Sequence, residues 1–444
     1  MSHYKPYPAY KDSGVEWIGL VPEHWKVAQI KRISALNPKK STLSKEKDSL
    51  CTFLPMEKLR TNAITLDETR PIHEVYDGYS YFCDDDILIA KVTPCFENGN
   101  IAVANGLVNG IGFGSTEINV LRVNGKGHNR FLYYRLQEEQ FRTIAKSEMR
   151  GTGGLKRVPT DLFESFTIGL PDTDEQATIA ATLDRETARI DALIEKKNRF
   201  VELLKEKRQA LITHAVTKGL DRNAKMKDSG IEWIGQVPEH WEATKLKHVA
   251  AFSGGGTPSK ENPDYWNGCI PWVSPKDMKH EVITDSIDHI TTKGLENSAT
   301  KLIDSGAVLL VARSGILRHT IPVGINNVPV SLNQDMKALS LDETRVRPRF
   351  ILRWVQGLNR SLLGIWAKEG ATVESLEHEY VANTRLPLPD LKEQDAILAT
   401  LDLETARIDA LISKSEQSII LLKERRAAFI TAAVTGQIDL RGKQ

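Results

Sequence analysis

A fourteen-residue block occurs twice in this chain with one difference. Residues 181–194 read ATLDRETARIDALI and residues 399–412 read ATLDLETARIDALI, so that Arg185 stands where the second copy has Leu403. A second pair lies upstream of each: KDSGVEWIGLVPEHW at 11–25 and KDSGIEWIGQVPEHW at 227–241, identical at 13 of 15 positions. The helical block recurs at a spacing of 218, which divides the chain into two halves of similar length. A solenoid would need a period of roughly 20–50 residues, so this is a tandem duplication. The segments between the repeats are unalike. A duplicated frame that carries dissimilar inserts implies one kind of contact made twice and two different things read.

Composition narrows the class without naming it. At 444 residues the chain is expected to hold two to four domains. With 41% hydrophobic and 26% charged residues it resembles ordinary soluble proteins. No apolar run approaches the ~18–20 residues of a membrane span, and the opening MSHYKPYPAYKDSG lacks a secretory apolar core. A cytoplasmic location is therefore expected. Cys51, Cys83, Cys95 and Cys269 form no CxxC pair and have no histidine cluster beside them, so buried or free thiols are expected rather than a zinc site. A net charge of +1 does not announce a nucleic-acid binder. It does not exclude one, because acidic and basic residues can gather on different surfaces.

Taken in order, residues 1–25 form an N-terminal repeat block and residues 26–172 a first variable domain. Within it ILIAKV (87–92) and INVLRV (118–123) read as strands broken by Gly, Asn and Pro turns. FLYYRLQEEQFRTIAK (131–146) reads as helix, and RGTGGLKR (150–157) as a glycine-rich loop. A long helix is expected over 173–221, capped by Asp172, Thr173 or Asp174 with Glu175 in its first turn. Leu183, Ile190, Leu204 and Leu211 lie seven apart, flanked by Ile179, Leu193 and Phe200, which is a coiled-coil seam. Residues 175–216 would make a rod of ~60 Å, ended by Gly219. A linker and second repeat block follow at 222–241, then a second variable domain at 242–390 with strand-like AVLLVAR (307–313) and PVSLN (329–333). The second long helix is expected over 391–436 with seam residues Leu401, Ile408, Leu422 and Phe429, closed by Gly436 and followed by a tail at 437–444. Lys197 and Ser415 occupy equivalent seam positions, as solvated notches or as a register-setting polar contact.

Neither helix can bury its apolar stripe alone. Packing the two antiparallel within the chain solves this and creates a pseudo-two-fold frame. The KDSG block follows the first helix and also begins the chain, so the termini should lie close together. The expected fold class is α+β: two mixed α/β domains joined by two long antiparallel coiled-coil helices in a quasi-circular arrangement.

No catalytic constellation is present. There is no GxSxG, Walker loop or HExxH. SGGGTPS (253–259) lacks the GK[ST] ending of a phosphate loop. NPDYW (262–266) is similar to the Asn-Pro-Pro-aromatic motif of amino-methyltransferases, but its third residue is Asp and no FxGxG cofactor loop accompanies it. A turn followed by an anchoring aromatic accounts for it, and a stand-alone methyltransferase is disfavoured.

The ordered motifs do resemble one family. PEHW opens each variable domain (22–25 and 238–241), GGGTPSKENPDYWNGCIPWVSPKDM spans 255–278, and AKVTPCFENGNIAV and GFGSTE lie at 90–103 and 112–117. Each domain closes on LP-x-P or LPD, an EQ pair (Glu175–Gln176, Glu393–Gln394) and the long helix. In this order, over essentially the whole chain, the sequence resembles the specificity subunits of type I restriction–modification systems. The resemblance implies a non-catalytic DNA reader with no cofactor of its own. Two target recognition domains would each read one part of a split, asymmetric site in double-stranded DNA, with the helices as a ruler. The helices would also dock two methyltransferase subunits, which modify adenine at N6 with S-adenosylmethionine, and restriction subunits would join the complex. Unlike domains on a two-fold frame agree with this, since identical ones would read a palindrome. The rival reading is a non-DNA coiled-coil scaffold whose two variable domains bind proteins or glycans.

Aligning the two variable domains gives candidate contacts. Lys91 falls opposite Arg313, each at the end of a strand-like run, and Glu117 falls opposite Asp335. RGTGGLKR falls opposite EGATVES (369–375). Lys or Arg at strand ends can bind phosphate or a guanine edge, and Gln334 can pair with adenine. Lys91 and Arg313 could equally form structural ion pairs with Glu117 and Asp335. Gly151, Gly153 and Gly154 could make a simple turn or let the backbone approach phosphate, with Lys156 and Arg157 as phosphate ligands. Thr93, Asn98, Thr152, Lys276 and Arg318 complete the DNA candidates. Trp266 and Trp272 are expected as core anchors, and Trp17 and Trp233 as packing between domain and helix. Partner docking should fall on shared surfaces, which points to Glu186 and Arg189 with their equivalents Glu404 and Arg407. A plain solvated helix face is the alternative there.

Overall fold

The computed structural model describes residues 4–43, 46–152, 154–368 and 372–442. It falls into two compact units, residues 1–197 with 417–444, and residues 198–416. Unit 1 holds the first part of one long helix and the last part of the other; unit 2 holds the remaining parts.

Those helices run Thr173–Lys218 and Leu391–Val434. Of the candidate caps Asp172 is used: its Oδ1 accepts the Glu175 amide at 2.9 Å, and Asp390 accepts that of Glu393 at 2.8 Å. Both helices stop short of the 221 and 436 expected from sequence. Gly219 (φ 71°) and Gly436 (φ 77°) turn the chain into the left-handed region just past the last helical turn. A Cβ at Gly436 would lie 2.5 Å from Pro22.

Within each unit the two helical parts pair antiparallel. In unit 1 Arg426 meets Asp191 at 2.9 Å, while Arg441 beyond the second helix lies 3.8 Å from Glu175 at the start of the first. In unit 2 Arg208 meets Asp409 at 2.9 Å, and Gly219 lies against Glu393. Leu183, Ile190, Leu204, Leu401, Ile408 and Phe429 are buried, and Leu211 and Leu422 half-buried. The flanking residues are a correction: Leu193 and Phe200 are 43% and 46% exposed. A two-helix pair covers one stripe on each helix and leaves the other apolar line outside. Ser415 is buried, but its hydroxyl donates to the Leu411 carbonyl of its own helix at 2.8 Å, so it sets no register between helices.

The variable part of unit 1 contains two four-stranded sheets. In one, Ile101–Val103, Ile87–Ala90, Ile118–Val123 and Ser34–Leu36 pair antiparallel in that order. In the other the order is Thr69–Pro71, Leu50–Leu54, Ile111–Gly114 and Ser80–Cys83, with the central pair parallel. Unit 2 repeats the plan with five strands around Val308–Val311 and three around Trp266–Val273, which runs parallel to Ser331–Leu332. Strands such as Ile87–Ala90 and Val308–Val311 are buried throughout, as continuous apolar runs require. The helical patch at 131–146 is two helices, Asn129–Arg135 and Glu139–Ser147. Glu138 breaks it by capping the second, accepting the Phe141 and Gln140 amides at 2.8 and 3.1 Å.

The first and last strands of each domain pair with each other: Lys26–Gln29 with Thr167–Leu170, and Glu242–Lys245 with Arg385–Leu388. PEHW immediately precedes the first of these strands, and the long helix follows the last. The hairpin-like closure therefore carries His-Trp to the Glu-Gln pair about 150 residues away. His24 Nε2 lies 2.8 Å from Glu175 Oε2, and Trp25 Nε1 donates to Oε1 at 3.3 Å. In unit 2 His240 and Trp241 reach Glu393 at 2.8 and 3.1 Å. Gln176 donates to the Pro171 carbonyl at 2.9 Å and accepts the His128 amide at 2.9 Å; Gln394 treats Pro389 and Arg347 in the same way, at 2.8 Å each. Each EQ pair is thus a bolt between domain and helix.

Unit 1 adds a clasp. Tyr7 Oη donates to Glu175 at 2.7 Å, Tyr10 Oη donates to the Gly436 carbonyl at 3.1 Å, and the Asp439 amide donates to the Lys5 carbonyl at 2.8 Å. Residues near both ends of the chain meet there, as the repeat order predicts. No helix among the described residues is long and apolar enough to cross a membrane.

Candidate nucleic-acid interface

Strand ends gather most of the candidate residues of each unit into one loop cluster. In unit 1 the Lys91 amide donates to the Glu117 carbonyl at 2.9 Å, and the Val158 amide to the Lys91 carbonyl at 2.8 Å. Thr93 Oγ1 donates to the Gly154 carbonyl at 2.8 Å and accepts the Lys156 amide at 2.9 Å. Lys91, Thr93, Lys156 and Arg157 therefore sit together, with Thr152 in the short hairpin that Arg150 and Arg157 close. Gly153 lies outside the described residues. Asn98 is exposed in the turn after the Lys91 strand, its amide bonded to the Pro94 carbonyl at 2.9 Å.

Unit 2 builds the same cluster from other residues. The Asp335 carbonyl accepts the Ala312 and Arg313 amides at 2.7 and 3.1 Å, which is the partner relation of Glu117 and Lys91. The Ser314 amide donates to the Glu374 carbonyl at 3.0 Å. The Asn333 amide donates to the Val273 carbonyl at 3.0 Å, and the exposed Lys276 lies in the turn Ser274–Asp277 that follows Val273. Gln334 is held by the Thr257 hydroxyl. Residues 369–371 of the facing loop lie outside the described residues. Trp272 donates to the Gly256 carbonyl at 2.9 Å and Trp266 to that of Ser259 at 3.0 Å, so these anchors pin the glycine-rich loop. Trp272 is buried and Trp266 half-buried.

The open choice between ion pair and free cation is resolved residue by residue. Glu117 takes Arg157, not Lys91, with Nε and Nη2 at 2.9 and 2.6 Å. The Arg157 guanidinium holds the Glu117 carboxyl below the usual carboxylate range. Arg313 lies 3.5 Å from Asp335 Oδ1, too far for a good hydrogen bond, and that buried oxygen has no hydrogen-bond partner. Arg318 pairs with Glu374 at 2.6 Å, which likewise lowers the Glu374 pKa. Among the described residues Lys91, Lys156 and Lys276 have no ion-pair partner; Lys156 and Lys276 are exposed and Lys91 is half-buried. Exposed cations on backbone-rigid strand ends are what phosphate and base-edge contacts require. The paired arginines can exchange a carboxylate for phosphate, because both partners face solvent.

Sequence reading missed the joint residues. Trp17 is half-exposed on Phe166 and shares a groove with Thr431 of a long helix, and Trp233 packs near Trp354 in a groove shared with Gln209 and Thr213 of the other. The tryptophans that hydrogen-bond to a long helix are Trp25 and Trp241 of the PEHW motifs. Their signal was the repetition of PEHW together with EQ. On the helix surface Glu404 pairs with Arg407 at 2.5 Å, whereas Glu186 pairs with Arg185 at 3.4 Å. The single difference between the two blocks, Arg185 for Leu403, explains that. Arg189 and Arg407 are exposed.

Comparison with known proteins supplies the family. A family model described as the type I restriction modification DNA specificity domain matches residues 22–203 and 238–419. The EcoR124I/EcoR124II specificity subunit of Escherichia coli is 31% identical over 225 residues, which cover 50% of this chain and 48% of that one. The EcoAI specificity subunit of the same organism is 36% identical over 162 residues, covering 36% and 27%. The chain thus spans about half the length, or less, of these relatives. The HsdS subunit from Thermoanaerobacter tengcongensis superposes with a TM-score of 0.59 at 18% identity, over 94% of this chain and 98% of that one. A chain from a structural study of complex assembly and conformational transition of the type I R-M system gives 0.76 at 17%, over 94% and 99%. These likenesses establish a shared fold. Because the family model matches twice, each time across a variable domain and into its long helix, the chain belongs to the type I restriction–modification DNA specificity family.

Proposed function

We propose that this chain is the DNA sequence-specificity subunit of a type I restriction–modification complex and has no catalytic activity itself. Residues 26–172 and 242–390 are the two target recognition domains, each reading one half of a bipartite, asymmetric target in double-stranded DNA. The observation that carries this is the contrast within each domain. The bolt to the long helix is the same twice, while the strand-end clusters, Lys91/Thr93/Lys156/Arg157 and Lys276/Arg313/Arg318/Gln334, differ. A shared frame with unlike readers selects an asymmetric site.

In this reading two copies of a methyltransferase subunit dock on the shared helix surfaces around Glu186, Arg189, Glu404 and Arg407, and restriction subunits join through them. The exposed apolar residues Leu193 and Leu411, equivalent in the repeat, support docking there, since lone charges would not give a stable interface. S-adenosylmethionine belongs to the methyltransferase partner, and the complex is cytoplasmic. Each unit repeats the same joint between domain and helix, and in unit 1 residues near both ends of the chain meet.

Co-expression with the methyltransferase partner, followed by mapping of methylated adenines, tests the reading. A split motif with two unlike halves and a fixed spacer is expected. Absence of modified adenine from an assembled, cofactor-bound complex would favour a non-DNA scaffold instead.

A further inference from the structure

Unit 2 contains an open groove of about 1420 Å³ in which Arg318 is the one candidate contact named above. Its apolar floor includes Leu317, Ile321 and Leu358, and it is rimmed by Lys279, His280, His319 and Arg360. These four side chains are exposed and have no hydrogen-bond or ion-pair partner among the described residues. Arg208 and Arg318 also line it, paired with Asp409 and Glu374. Glu281 is the one acidic residue in its lining among the described residues, and its Oε1 is engaged by Arg353 and Gln356 at 2.9 Å each. Lys279 and Arg360 therefore leave the groove with unneutralised positive charge, in a chain whose net charge is only +1.

Two further observations say what fits. The groove is continuous with the reading cluster: the loop that starts at Arg313 turns through the short helix Gly315–Arg318 and delivers Arg318 and His319 to the groove wall. In unit 1 the corresponding loop between Ile87–Ala90 and Ile101–Val103 has no Lys, Arg or His from residue 92 to 100. There Arg142 of the following helix donates to the Phe96 and Glu97 carbonyls at 2.9 Å each, tying loop to helix. An open cationic track leading away from a base-reading edge suits an extended polyanion rather than a small ligand.

We infer that this groove binds the phosphate backbone of the duplex flanking the half-site that unit 2 reads. The inference rests on the proposed DNA-reading function. It gives unit 2 phosphate contacts beyond its bases that the loop at 92–100 of unit 1, without Lys, Arg or His, does not offer. Lys279 and Arg360 supply fixed positive charge, and His280 and His319 supply ring N–H donors. Such contacts add affinity and salt dependence without adding sequence information.

The test uses the assembled complex with its methyltransferase partner and the triple variant Lys279→Gln/His319→Gln/Arg360→Gln. All three side chains are exposed and unpaired, so the fold should survive; an unchanged unfolding profile checks this. Binding is measured across a salt series on two duplexes that carry the methylated motif, one ending at the unit 2 half-site and one extended past it. The wild-type complex should bind the extended duplex more tightly, and the variant should lose that advantage. The slope of log K against log salt should fall by about 2 for two lost phosphate contacts, with motif preference unchanged. An unchanged slope overturns the inference, as does a variant that keeps its DNA binding and loses the methyltransferase, which would assign the groove to an acidic protein surface. A wild-type complex that does not prefer its own motif overturns the DNA-reading function and the inference with it. The variant Arg313→Gln separates the two: it should weaken motif preference and leave the extended-duplex advantage intact.

Discussion

The helices Asn129–Arg135 and Pro348–Gly357 hold the same place in the two units and solve the same packing problem differently. Each begins with an arginine that grips an aspartate of a long helix, Arg130 on Asp184 and Arg349 on Asp402, the latter at 2.7 Å. One turn on, Tyr134 in unit 1 and Arg353 in unit 2 reach toward that same aspartate, at 2.7 and 3.5 Å. At the next residue the units part. Unit 1 buries Arg135 against Glu138 at 2.5 Å, whereas unit 2 buries Trp354. Burial pulls the Arg135 pKa down, so this ion pair is held against its own desolvation. Contacts between domain and helix are kept through duplication, while the filling behind them is free to change.

The largest effect that would sharpen this contrast comes from breaking the buried pair. Glu138→Ala leaves Arg135 unpaired and removes a helix cap, and should destabilise unit 1 by about 3–5 kcal/mol. The double variant Arg135→Met/Glu138→Gln should recover much of that loss, because an apolar residue serves at Trp354. Hydrogen exchange resolved by unit is the measurement, and unit 2 should be unaffected. Equal loss in single and double variants would mean that the pair itself is required.

Next come the two bolts. Glu175 is 4% exposed and accepts from three side chains; Glu393 is 26% exposed and accepts from two. Glu175→Ala should cost about 2–3 kcal/mol and Glu393→Ala about 1 kcal/mol, in chemical denaturation of the two variants. The reverse order would show that the tyrosine clasp contributes little to unit 1.

A smaller contrast concerns the readers. Arg157 is held in a fork by Glu117, while Arg313 stands off its aspartate. In anisotropy titrations of the assembled complex, Arg313→Gln should weaken target binding on the order of tenfold and Arg157→Gln less. Glu117→Gln, which frees Arg157, should strengthen binding to unrelated duplex. No change from Glu117→Gln would mean that the fork plays no part in discrimination.

The smallest effect is one of pH and belongs to unit 1 alone. His128 is half-buried with an unbonded Nδ1, and burial holds its pKa below the ordinary imidazole value; unit 2 has Arg347 at the matching amide. Folded His128 therefore binds fewer protons than unfolded His128. Its contribution is complete above the unfolded pKa and declines as pH falls toward the folded one. Unit 1 should lose stability relative to unit 2 as pH falls below the ordinary imidazole pKa of about 6.5, and His128→Asn should abolish the difference.

Much of this architecture was legible in the sequence because it is periodic or repeated. Seven-residue spacing located Leu183, Ile190, Leu401 and Ile408 on the buried seam, and repetition located the joints. Their chemistry was not legible: the His24–Glu175 contact spans 151 residues, and only the pairing of first and last domain strands brings it about. Leu193 and Phe200 misled because a heptad pattern does not reveal how many sides of a helix are covered. The partner of Glu117 stayed open because Lys91 and Arg157 both sit beside it, and loop geometry, not spacing, chooses Arg157. The unit 2 groove left no motif, since its cations come from four separate segments.

The central claim is that each recognition domain reads its own half-site on a common frame. Replacing residues 242–390 with a second copy of residues 26–172, and mapping methylated adenines made by the resulting complex, tests it most directly. Two identical readers should convert the asymmetric motif into a palindrome built from the half that unit 1 reads. An unchanged asymmetric motif, from a complex shown to be assembled and active, would contradict the account.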